Sequence, residues 1–363
     1  MNTIEYMRED LPIRLLIITQ VVDADHSVLG FMVDWIKYIT TYVSSIRVIT
    51  LQLGKHDIAT PIDSLKKECG YGWLSKLFRL YYLVVRDRHL YDVVFVHMNE
   101  EYVLACGMLW RMLGKRIILW RNHPSGNWKT ALAAKLSHVL CYTSPQSFIA
   151  RYPHAQKMPA GIVLTQEDHP SAREATTILM AGRINEWYKQ NHLFIEGLLH
   201  LKEQAPHLHW KALLIGDPDI GQEAYYDKMK HLVQSAGLSD QIRFHSGLPL
   251  KGIQDMYRES GIIVNLTQAG NLDKTLLEAM ALGCLPLTTN PAFRGTIHNR
   301  YLLSHPTPII IAQGIAHVLS SSEEDRAQWR SESVTYAITH HSINTLMRKL
   351  IVLFQEQVVH RSK

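Results

Sequence analysis

Short apolar runs alternate with longer amphipathic stretches along most of this chain, and this alternation limits the folds that are open to it. The apolar runs are rich in Val, Ile and Leu, which is typical of strands buried on both faces of a sheet. The stretches between them have the periodicity of helices. The pattern therefore predicts an α/β fold in which helices cover both faces of parallel sheets.

The predicted elements fall into two series. The predicted strands are residues 14–19, 46–52, 93–97, 116–120 and 139–143 in the first series, and 177–181, 210–215, 242–245, 262–266 and 285–289 in the second. The predicted helices are residues 31–42, 74–85 and 102–113, then 191–204, 223–236 and 254–260. Two series imply two doubly wound, Rossmann-like domains, each with a ligand crevice at the carboxyl ends of its strands.

The length of 363 residues suits two domains of ordinary size. Residues 164–176 form a polar segment that contains Pro170, and we predict the interdomain linker there. The predicted domains are residues 1–165 and 166–340, followed by a terminal segment, residues 341–363. In that segment residues 344–358 carry apolar side chains at helical spacing. These are Leu346, Leu350, Leu353 and Phe354.

Composition places the chain among globular proteins, with 47% hydrophobic and 20% charged residues. The longest apolar windows are shorter than the ~18–20 residues that a membrane helix needs, and the apolar run at 15–18 is too short for a signal peptide. Four cysteines lack the spacing of a metal site or a disulfide framework, so we expect reduced structural thiols and a cytoplasmic location. They are Cys69, Cys106, Cys141 and Cys284.

Positive charge is concentrated in the first domain. Residues 1–165 contain 19 Lys+Arg and 13 Asp+Glu, a net charge of +6, whereas the remainder carries −1. No acidic residue lies between Glu101 and Glu167, a stretch with eight basic residues. For any one of them a solvated helix face is the simpler interpretation, but together they favour a surface that meets anions. Because no nucleic-acid motif is present, we expect peripheral contact with an anionic membrane surface, at the inner membrane face, or an anionic acceptor.

A short helix with an unusual charge pattern is predicted in the second domain. Asp273 is a plausible N-cap and Gly283 a plausible residue after the C-terminus. Lys274 in the first turn opposes the helix dipole, and Lys274 before Glu278 is the weaker order for an ion pair. An anion bound at the helix N-terminus would explain the lysine.

The segment Leu-Glu-Ala-Met-Ala-Leu-Gly-Cys-Leu-Pro at residues 277–286 resembles the donor-site helix of retaining glycosyltransferases of family 4. Residues 13–31, 92–99, 120–128 and 182–189 also resemble blocks of these enzymes. The resemblance implies the GT-B fold, in which two Rossmann-like domains face a central cleft. The N-terminal domain then receives the acceptor, the C-terminal domain holds the nucleotide sugar, and the last helix crosses back to the N-terminal domain.

Two departures from the family pattern stand out. Gly270 occupies the position where relatives usually have a glutamate, eight residues before Glu278. Ala160 and Val163 replace a polar residue and an aspartate that are common in relatives. These departures keep a catalytically degenerate member, which binds a nucleotide sugar or scaffolds partners, as an alternative.

A diphosphate leaving group needs cations and N–H donors that neutralise its charge. Gly182 and Arg183 follow a predicted strand, and Lys189 precedes a predicted helix. Arg183, which follows Gly182, and Lys189 resemble the phosphate-binding Arg–Lys pair of the family. In such a pair arginine can bind two oxygens and lysine acts as a point charge. The alternative for an isolated Arg and Lys at this spacing is a solvated turn.

The resemblance also assigns roles on the short helix. Glu278 is expected to accept hydrogen bonds from the ribose hydroxyls, against the alternative of a surface residue paired with Lys274. Lys274, Thr275 and the first amides would hold phosphate or sugar hydroxyls. Asp273 either caps the helix or takes over part of the role left vacant at Gly270. Core packing explains the apolar residues on its other face.

Further site residues come from loops after predicted strands. By resemblance, His123 contacts the donor sugar or the reacting centre, and the segment around Gly247 holds the nucleobase through backbone groups. Gly30 would let the backbone approach phosphate or acceptor, or else would only permit close packing. Asp23, with Asp25 beside it, is a candidate acceptor-binding residue or base. A buried position in the cleft wall is favoured for His97, with acceptor contact as the alternative.

No metal site is predicted, because the two Asp-x-Asp matches, at 23–25 and 217–219, agree only by letters. The expected activity is retaining transfer from a UDP- or GDP-sugar to a glycan or lipid-linked acceptor in polysaccharide or glycolipid synthesis of the cell envelope. No cofactor is expected besides the donor. The alternatives, besides a degenerate member, are a nucleotide-sugar 2-epimerase and a phosphorylase, the latter of which needs a much longer chain.

Overall fold

The computed structural model describes residues 12–26, 29–66, 72–164, 173–268 and 270–361. The chain divides into two compact units. Unit 1 comprises residues 1–161 and 343–363, and unit 2 comprises residues 162–342. Most of the predicted linker and Cys69 lie outside the described residues, whereas the other three cysteines are buried and free, as expected.

Unit 1 is built on a seven-stranded parallel sheet with strand order β3-β2-β1-β4-β5-β6-β7. Its strands are β1 (Arg14–Val22), β2 (Ser45–Leu53), β3 (Ile62–Ser64), β4 (Val93–His97), β5 (Arg116–Trp120), β6 (Val139–Tyr142) and β7 (Ala155–Lys157). Its helices are α1 (Phe31–Thr40), α2 (Trp73–Arg86), α3 (Glu100–Met112), α4 (Trp128–Leu136) and the terminal α11 (Ile343–Arg361). The central strands are buried on both faces, as their continuous apolar runs predict.

The terminal helix α11 belongs to unit 1 rather than to the unit that precedes it in sequence. The four apolar residues predicted on one face are all buried, and Phe354 packs edge-on against Phe95 of β4 with ring centroids 5.7 Å apart. Directly before β4, the buried Asp92 accepts two hydrogen bonds from Arg14 and pairs with Arg361. Packing and charge therefore both hold α11 against β4 and the start of β1.

Unit 2 is built on a five-stranded parallel sheet with strand order β10-β9-β8-β11-β12. Its strands are β8 (Glu174–Ala181), β9 (Lys211–Ile215), β10 (Ile242–His245), β11 (Ser260–Asn265) and β12 (Leu285–Thr288). Its helices are α5 (Asn191–Gln204), α6 (Glu223–Ser235), α7 (Leu250–Glu259), α8 (Lys274–Ala281), α9 (Pro308–Ser320) and α10 (Glu323–His341). The structure thus confirms two Rossmann-like α/β domains.

Among the strands and α-helices of the described residues, five were not predicted: β3, β7, α4, α9 and α10. Each of the two strands has three residues at a sheet edge, which is too short for a periodic signal. Helix α4 has the sequence Trp-Lys-Thr-Ala-Leu-Ala-Ala-Lys-Leu, which has little amphipathic pattern, and its start is fixed by a capping box between Asn127 and Thr130. Apart from α9, whose buried Ile311, Ile315 and Val318 do form an apolar stripe, these elements depend on local hydrogen bonds and tertiary packing.

Phe354→Ala should lower the free energy of unfolding by about 3–5 kcal/mol, because a fully buried ring on the terminal helix would leave a cavity against β4. Val352→Ala in the same helix is the matched control, since that side chain is 46% exposed, and it should cost less than about 0.5 kcal/mol. Urea unfolding of both variants is the measurement. Equal losses in the two would show that α11 is not packed as described.

Candidate active site

The loops that follow β8 and β9 are in backbone contact at the carboxyl edge of the unit 2 sheet. Gly182 and Gly216 have positive φ angles of 124° and 153°. A Cβ atom at Gly216 would lie 1.9 Å from the carbonyl oxygen of Gly182, so no other residue fits there. This contact fixes the position at which Arg183 leaves the sheet.

Side-chain hydrogen bonds shape the turn between Arg183 and Lys189. The Asn185 Oδ1 atom accepts hydrogen bonds from the amides of Trp187 and Tyr188 at 3.0 and 2.9 Å. The amide of Asn185 donates in turn to Oδ1 of the buried Asn191 at 3.0 Å. The turn ends with Gln190 in the left-handed region, and α5 begins at the next residue. Lys189 is therefore presented by a braced turn.

Lys189 and Asp273 form a nearly buried ion pair. The Lys189 Nζ atom lies 2.5 Å from Asp273 Oδ2, and only 9% and 11% of the two side chains is exposed. The same carboxylate oxygen accepts hydrogen bonds from Asn265 at 2.8 Å and Thr267 at 3.0 Å. The pair joins the turn after β8 to the segment after β11, so residues 84 positions apart meet at one point.

Asp273 also caps helix α8. Its Oδ1 atom accepts the amide of Thr275 at 3.1 Å. Burial alone would raise the pKa of Asp273, but the charge of Lys189 and the donated hydrogen bonds lower it to about 2. The carboxylate is therefore ionised at neutral pH. Of the two predicted roles, the structure shows the cap, and it adds an ion pair that the sequence did not indicate.

Helix α8 spans Lys274–Ala281 and is followed by Gly283 with a φ angle of 91°, as predicted. Leu276, Leu277 and Met280 are buried, which confirms that this face packs. Lys274 and Thr275 lie in the first turn, and Glu278 lies one turn later.

Glu278 is partly buried, close to the charges of Lys274 and Asp273. Burial raises its pKa to about 7, with Asp273 acting in the same direction and Lys274 in the opposite one. Among the described residues, no side chain or amide donates a hydrogen bond to this carboxyl group. Glu278 is thus a poorly solvated acceptor near the start of α8.

Two aspartates that the sequence treats as a chance match take part in this edge of the sheet. Arg183 donates through Nη1 to Asp219 at 3.1 Å, and Asn185 donates to the other oxygen at 2.9 Å. The amide of Gly247 donates to Asp217 at 3.1 Å, and a Cβ at that position would lie 2.7 Å from the carboxylate. The Gly247 backbone, predicted to hold the nucleobase, therefore already has a partner in the Asp217 carboxylate.

Asn265, Thr267 and Asp219 were missed as site residues. The available signal was their place in the chain, because Asn265 ends a buried strand and Thr267 follows it by two residues. Polar groups at the carboxyl end of a buried parallel strand indicate a site. The pairing of Thr267 with Asp273 depends on the turn between them and has no sequence signature.

The other predicted site residues belong to unit 1. His123 follows β5 and is exposed, and its Nδ1 accepts the amide of Ser125 at 3.0 Å. Its carbonyl accepts from Arg121 at 3.0 Å, and Arg121 in turn is held by Glu100 at 2.6 Å. The structure thus shows a braced loop that presents this imidazole at the carboxyl edge of the sheet.

Gly30 precedes α1 in an ordinary right-handed conformation. A Cβ there would lie 2.9 Å from the carbonyl oxygens of Ala24 and His26, so close packing of the loop is sufficient to require glycine. Asp23 accepts the amides of Asp25 at 3.1 Å and Lys55 at 3.2 Å, which makes it a brace of this loop. For Gly30 the sequence had left this packing interpretation open.

His97 is 1% exposed and lies in an aromatic cluster. Its ring contacts those of Phe31, Trp35 and Trp120 at centroid distances of 5.7–6.2 Å. The buried alternative is the one that the structure shows. In the described part of the chain, no cluster of three or more His, Cys, Asp or Glu side chains could hold a metal ion.

Comparison with known proteins agrees with this geometry. Residues 164–334 match the family described as glycosyl transferases group 1, and this segment nearly coincides with unit 2. No match is found among curated protein sequences. The family match indicates a glycosyltransferase.

Solved structures similar to the whole chain show its fold. Alr3699/HepE from Anabaena, in complex with UDP, has 13% identity and a TM-score of 0.75, covering 95% of this chain and 100% of that one. A glycosyltransferase from Rickettsia africae has 16% identity and a TM-score of 0.71, covering 95% and 99%. Sucrose-phosphate synthase from Thermosynechococcus elongatus has 13% identity and a TM-score of 0.69, covering 96% and 99%. The chain has their fold, GT-B.

Lys189→Met should lower the free energy of unfolding by about 3 kcal/mol, because it leaves the Asp273 charge nearly buried without its cation. Lys211→Met is the matched control: its pair with Glu174 is exposed, so the loss should stay below about 1 kcal/mol. The double variant Lys189→Met/Asp273→Asn should lose less than the sum of its two single variants. Additive losses in urea unfolding would contradict the pairing.

Proposed function

We propose that the protein is a retaining glycosyltransferase that transfers a sugar from a UDP- or GDP-sugar to a hydroxyl group of a glycan or lipid-linked acceptor. The observation that carries this proposal is the junction of Lys189 and Asp273. It brings the turn that carries Arg183 next to the start of helix α8. Cations and first-turn amides thereby converge at one edge of the unit 2 sheet.

A nucleotide diphosphate fits the chemistry of this edge. Arg183 is half exposed, with one hydrogen bond to Asp219, and its planar guanidinium can bind two phosphate oxygens. Lys189 has little freedom, because its nearly buried ammonium group is paired with Asp273. The amides at the start of α8, together with Lys274 and Thr275, favour an anion at the same place. These groups would stabilise the charge that builds on the β-phosphate as the sugar departs.

Glu278 supports a nucleoside next to that phosphate site. A carboxylate can accept hydrogen bonds from both ribose hydroxyls. Glu278 lies one helical turn, about 5 Å, beyond Lys274 and the proposed phosphate-binding amides. The complex of Alr3699/HepE with UDP supports a uridine nucleotide as the first choice of donor.

The reaction would proceed by attack of an acceptor hydroxyl on the face from which the diphosphate leaves. The leaving phosphate oxygen would accept the hydroxyl proton, so a strong protein base is not required. Arg183, Lys189 and Lys274 would hold the diphosphate, and Asp273 would keep Lys189 in place. His123 keeps its predicted contact with the sugar, an assignment that rests on the family resemblance.

Arg183→Ala and Glu278→Ala should each weaken binding of the donor at least about tenfold, because each removes charge-assisted hydrogen bonds to it. Isothermal titration with UDP- and GDP-sugars is the measurement, after thermal shift has selected the donor. Lys202→Ala, an exposed cation elsewhere on unit 2, should leave the affinity unchanged. Unchanged affinity in Arg183→Ala or Glu278→Ala would overturn the site.

Turnover decides between an enzyme and a binding protein, the alternative suggested by Gly270. Slow hydrolysis of the selected donor, followed by NMR, should release the sugar first in the anomeric configuration of the donor. The inverted anomer would refute the retaining mechanism. Tight binding without hydrolysis, and without transfer to any of a panel of glycan and lipid-linked acceptors, would favour a non-catalytic binding protein.

Affinity for the selected nucleotide sugar should fall up to about tenfold between pH 8 and pH 6. Glu278 has a pKa raised to about 7, and the ionised form is the better acceptor for ribose hydroxyls, so binding requires loss of its proton. A sugar diphosphate has no titrating group in this range, so any pH dependence of the affinity reports a titration of the protein. Glu278→Gln should bind weakly with a flat profile; the same slope in that variant would assign the pH dependence to another group.

A further inference from the structure

One face of unit 1 exposes large apolar side chains that its own core does not need. Helix α2 packs Leu80, Leu83 and Val84 inward onto the sheet. Its opposite face also carries apolar residues, spaced so that they form one stripe. These are Leu74, Phe78, Tyr82 and Val85, all exposed, with Phe78 72% exposed; Trp73, the first residue of the helix, is exposed as well.

Helices α3 and α4 continue this surface. They pack against each other and onto the same core cluster as α2, and the Tyr81 hydroxyl of α2 donates to the carbonyl of Ala105 in α3 at 2.6 Å. Their outer sides expose four more apolar residues. These are Met108, Met112, Trp128 and Leu132, with Met112 81% and Trp128 71% exposed. We call the outer surface of α2, α3 and α4 the helical face.

The charge of the helical face is positive. Helices α2 and α4 contain no acidic residue, and the acidic residues of α3 are Glu100 and Glu101. Glu100 is held by Arg121 and Thr130. The exposed cations on these helices are Arg111, Lys129 and Lys135, and Lys76 of α2 is partly exposed.

The structure also divides the acid-free basic stretch. Lys115 and Arg121 are buried and make hydrogen bonds inside unit 1. Lys115 donates to the carbonyl of Tyr91 at 2.6 Å, and Arg121 donates to Glu100 at 2.6 Å. Arg116 is partly buried and donates to Gln357 of α11 at 3.0 Å. Part of the expected anion-facing charge is therefore structural, and the exposed remainder of it on α3 and α4 lies on the helical face.

We propose that the helical face docks on the surface of an anionic lipid bilayer. Tryptophan and tyrosine have an apolar body and a polar end that suit the lipid–water interface, and the neighbouring Met, Leu and Phe side chains suit the acyl boundary. Lysine and arginine beside them would bind anionic headgroups. Among the described residues no helix is long and apolar enough to cross a membrane, so the contact is with the bilayer surface.

Charge argues against two other occupants. A symmetric dimer through this face would oppose the same cations in both copies, which is unfavourable. A nucleic acid would neutralise the cations but would offer no apolar surface to side chains such as Met112 and Leu132. An anionic bilayer complements both the charge and the apolar side chains.

The test is sedimentation of the full chain with vesicles of phosphatidylcholine alone or mixed with phosphatidylglycerol. The protein should bind the anionic vesicles more tightly, and high salt should weaken this binding without abolishing it. Trp73→Ser/Phe78→Ser should weaken binding at least about tenfold. Ile220→Ser/Ile309→Ser, two exposed apolar residues of unit 2, should leave it unchanged.

A second pair of variants tests how much the lysines of the helical face contribute to binding anionic vesicles. Lys129→Gln/Lys135→Gln should weaken binding to anionic vesicles roughly tenfold and bring it close to the level on neutral vesicles. Lys202→Gln/Lys228→Gln on unit 2 should have no effect. Donor affinity should be the same in all four variants, because none of the substituted residues is among those proposed to bind the donor.

Several results would overturn this proposal. One is wild-type protein that stays in the supernatant with anionic vesicles, and another is equal loss of binding in the helical-face variants and their controls. A dimer in light scattering that Trp73→Ser/Phe78→Ser converts to a monomer would assign the face to a second copy. Retention on immobilised nucleic acid that Lys129→Gln/Lys135→Gln abolishes, without vesicle binding by wild type, would assign it to nucleic acid.

Discussion

The ion pair between Lys189 and Asp273 is the interaction on which the candidate site depends. The Asp273 carboxylate caps helix α8 and pairs with Lys189 from the turn after β8. It also accepts hydrogen bonds from two polar side chains at and just after the end of β11. Because the pair is nearly buried, removing either partner would leave a charge there without its counter-charge. The cations and helix amides that could bind a diphosphate are therefore organised before any ligand arrives, which reduces the ordering that binding would require.

The parallel sheet makes this arrangement possible. All five strands of unit 2 end at the same edge, so the loops after β8, β9, β10 and β11 meet there although they are distant in sequence. Glycines at 182, 216 and 247 leave room for the backbone and for carboxylates at that edge. Unit 1 uses the same principle with different residues, and it adds a layer of helices whose outer side is apolar and basic.

Sequence reasoning was accurate where the signal is local and periodic. The strands β4, β5 and β10 were predicted with the bounds that the structure has, and the cap and end of α8 were predicted from single residues. It was weaker for residues whose role depends on a distant partner. Asp273 could be identified as a cap but not as the partner of Lys189, and Lys115 was counted as surface charge although it is buried.

The sequence by itself determined the α/β class, the two series of strands, the terminal helix and the residue types that could bind a nucleotide diphosphate. The local pattern decides the elements, because a strand buried on both faces leaves a continuous apolar run and a helix buried on one face leaves an apolar residue every three or four positions. Only the tertiary structure decided which charges are buried in pairs, which glycines permit close contacts and which apolar side chains remain exposed. These properties depend on what packs against each residue, and that neighbour is usually far away along the chain.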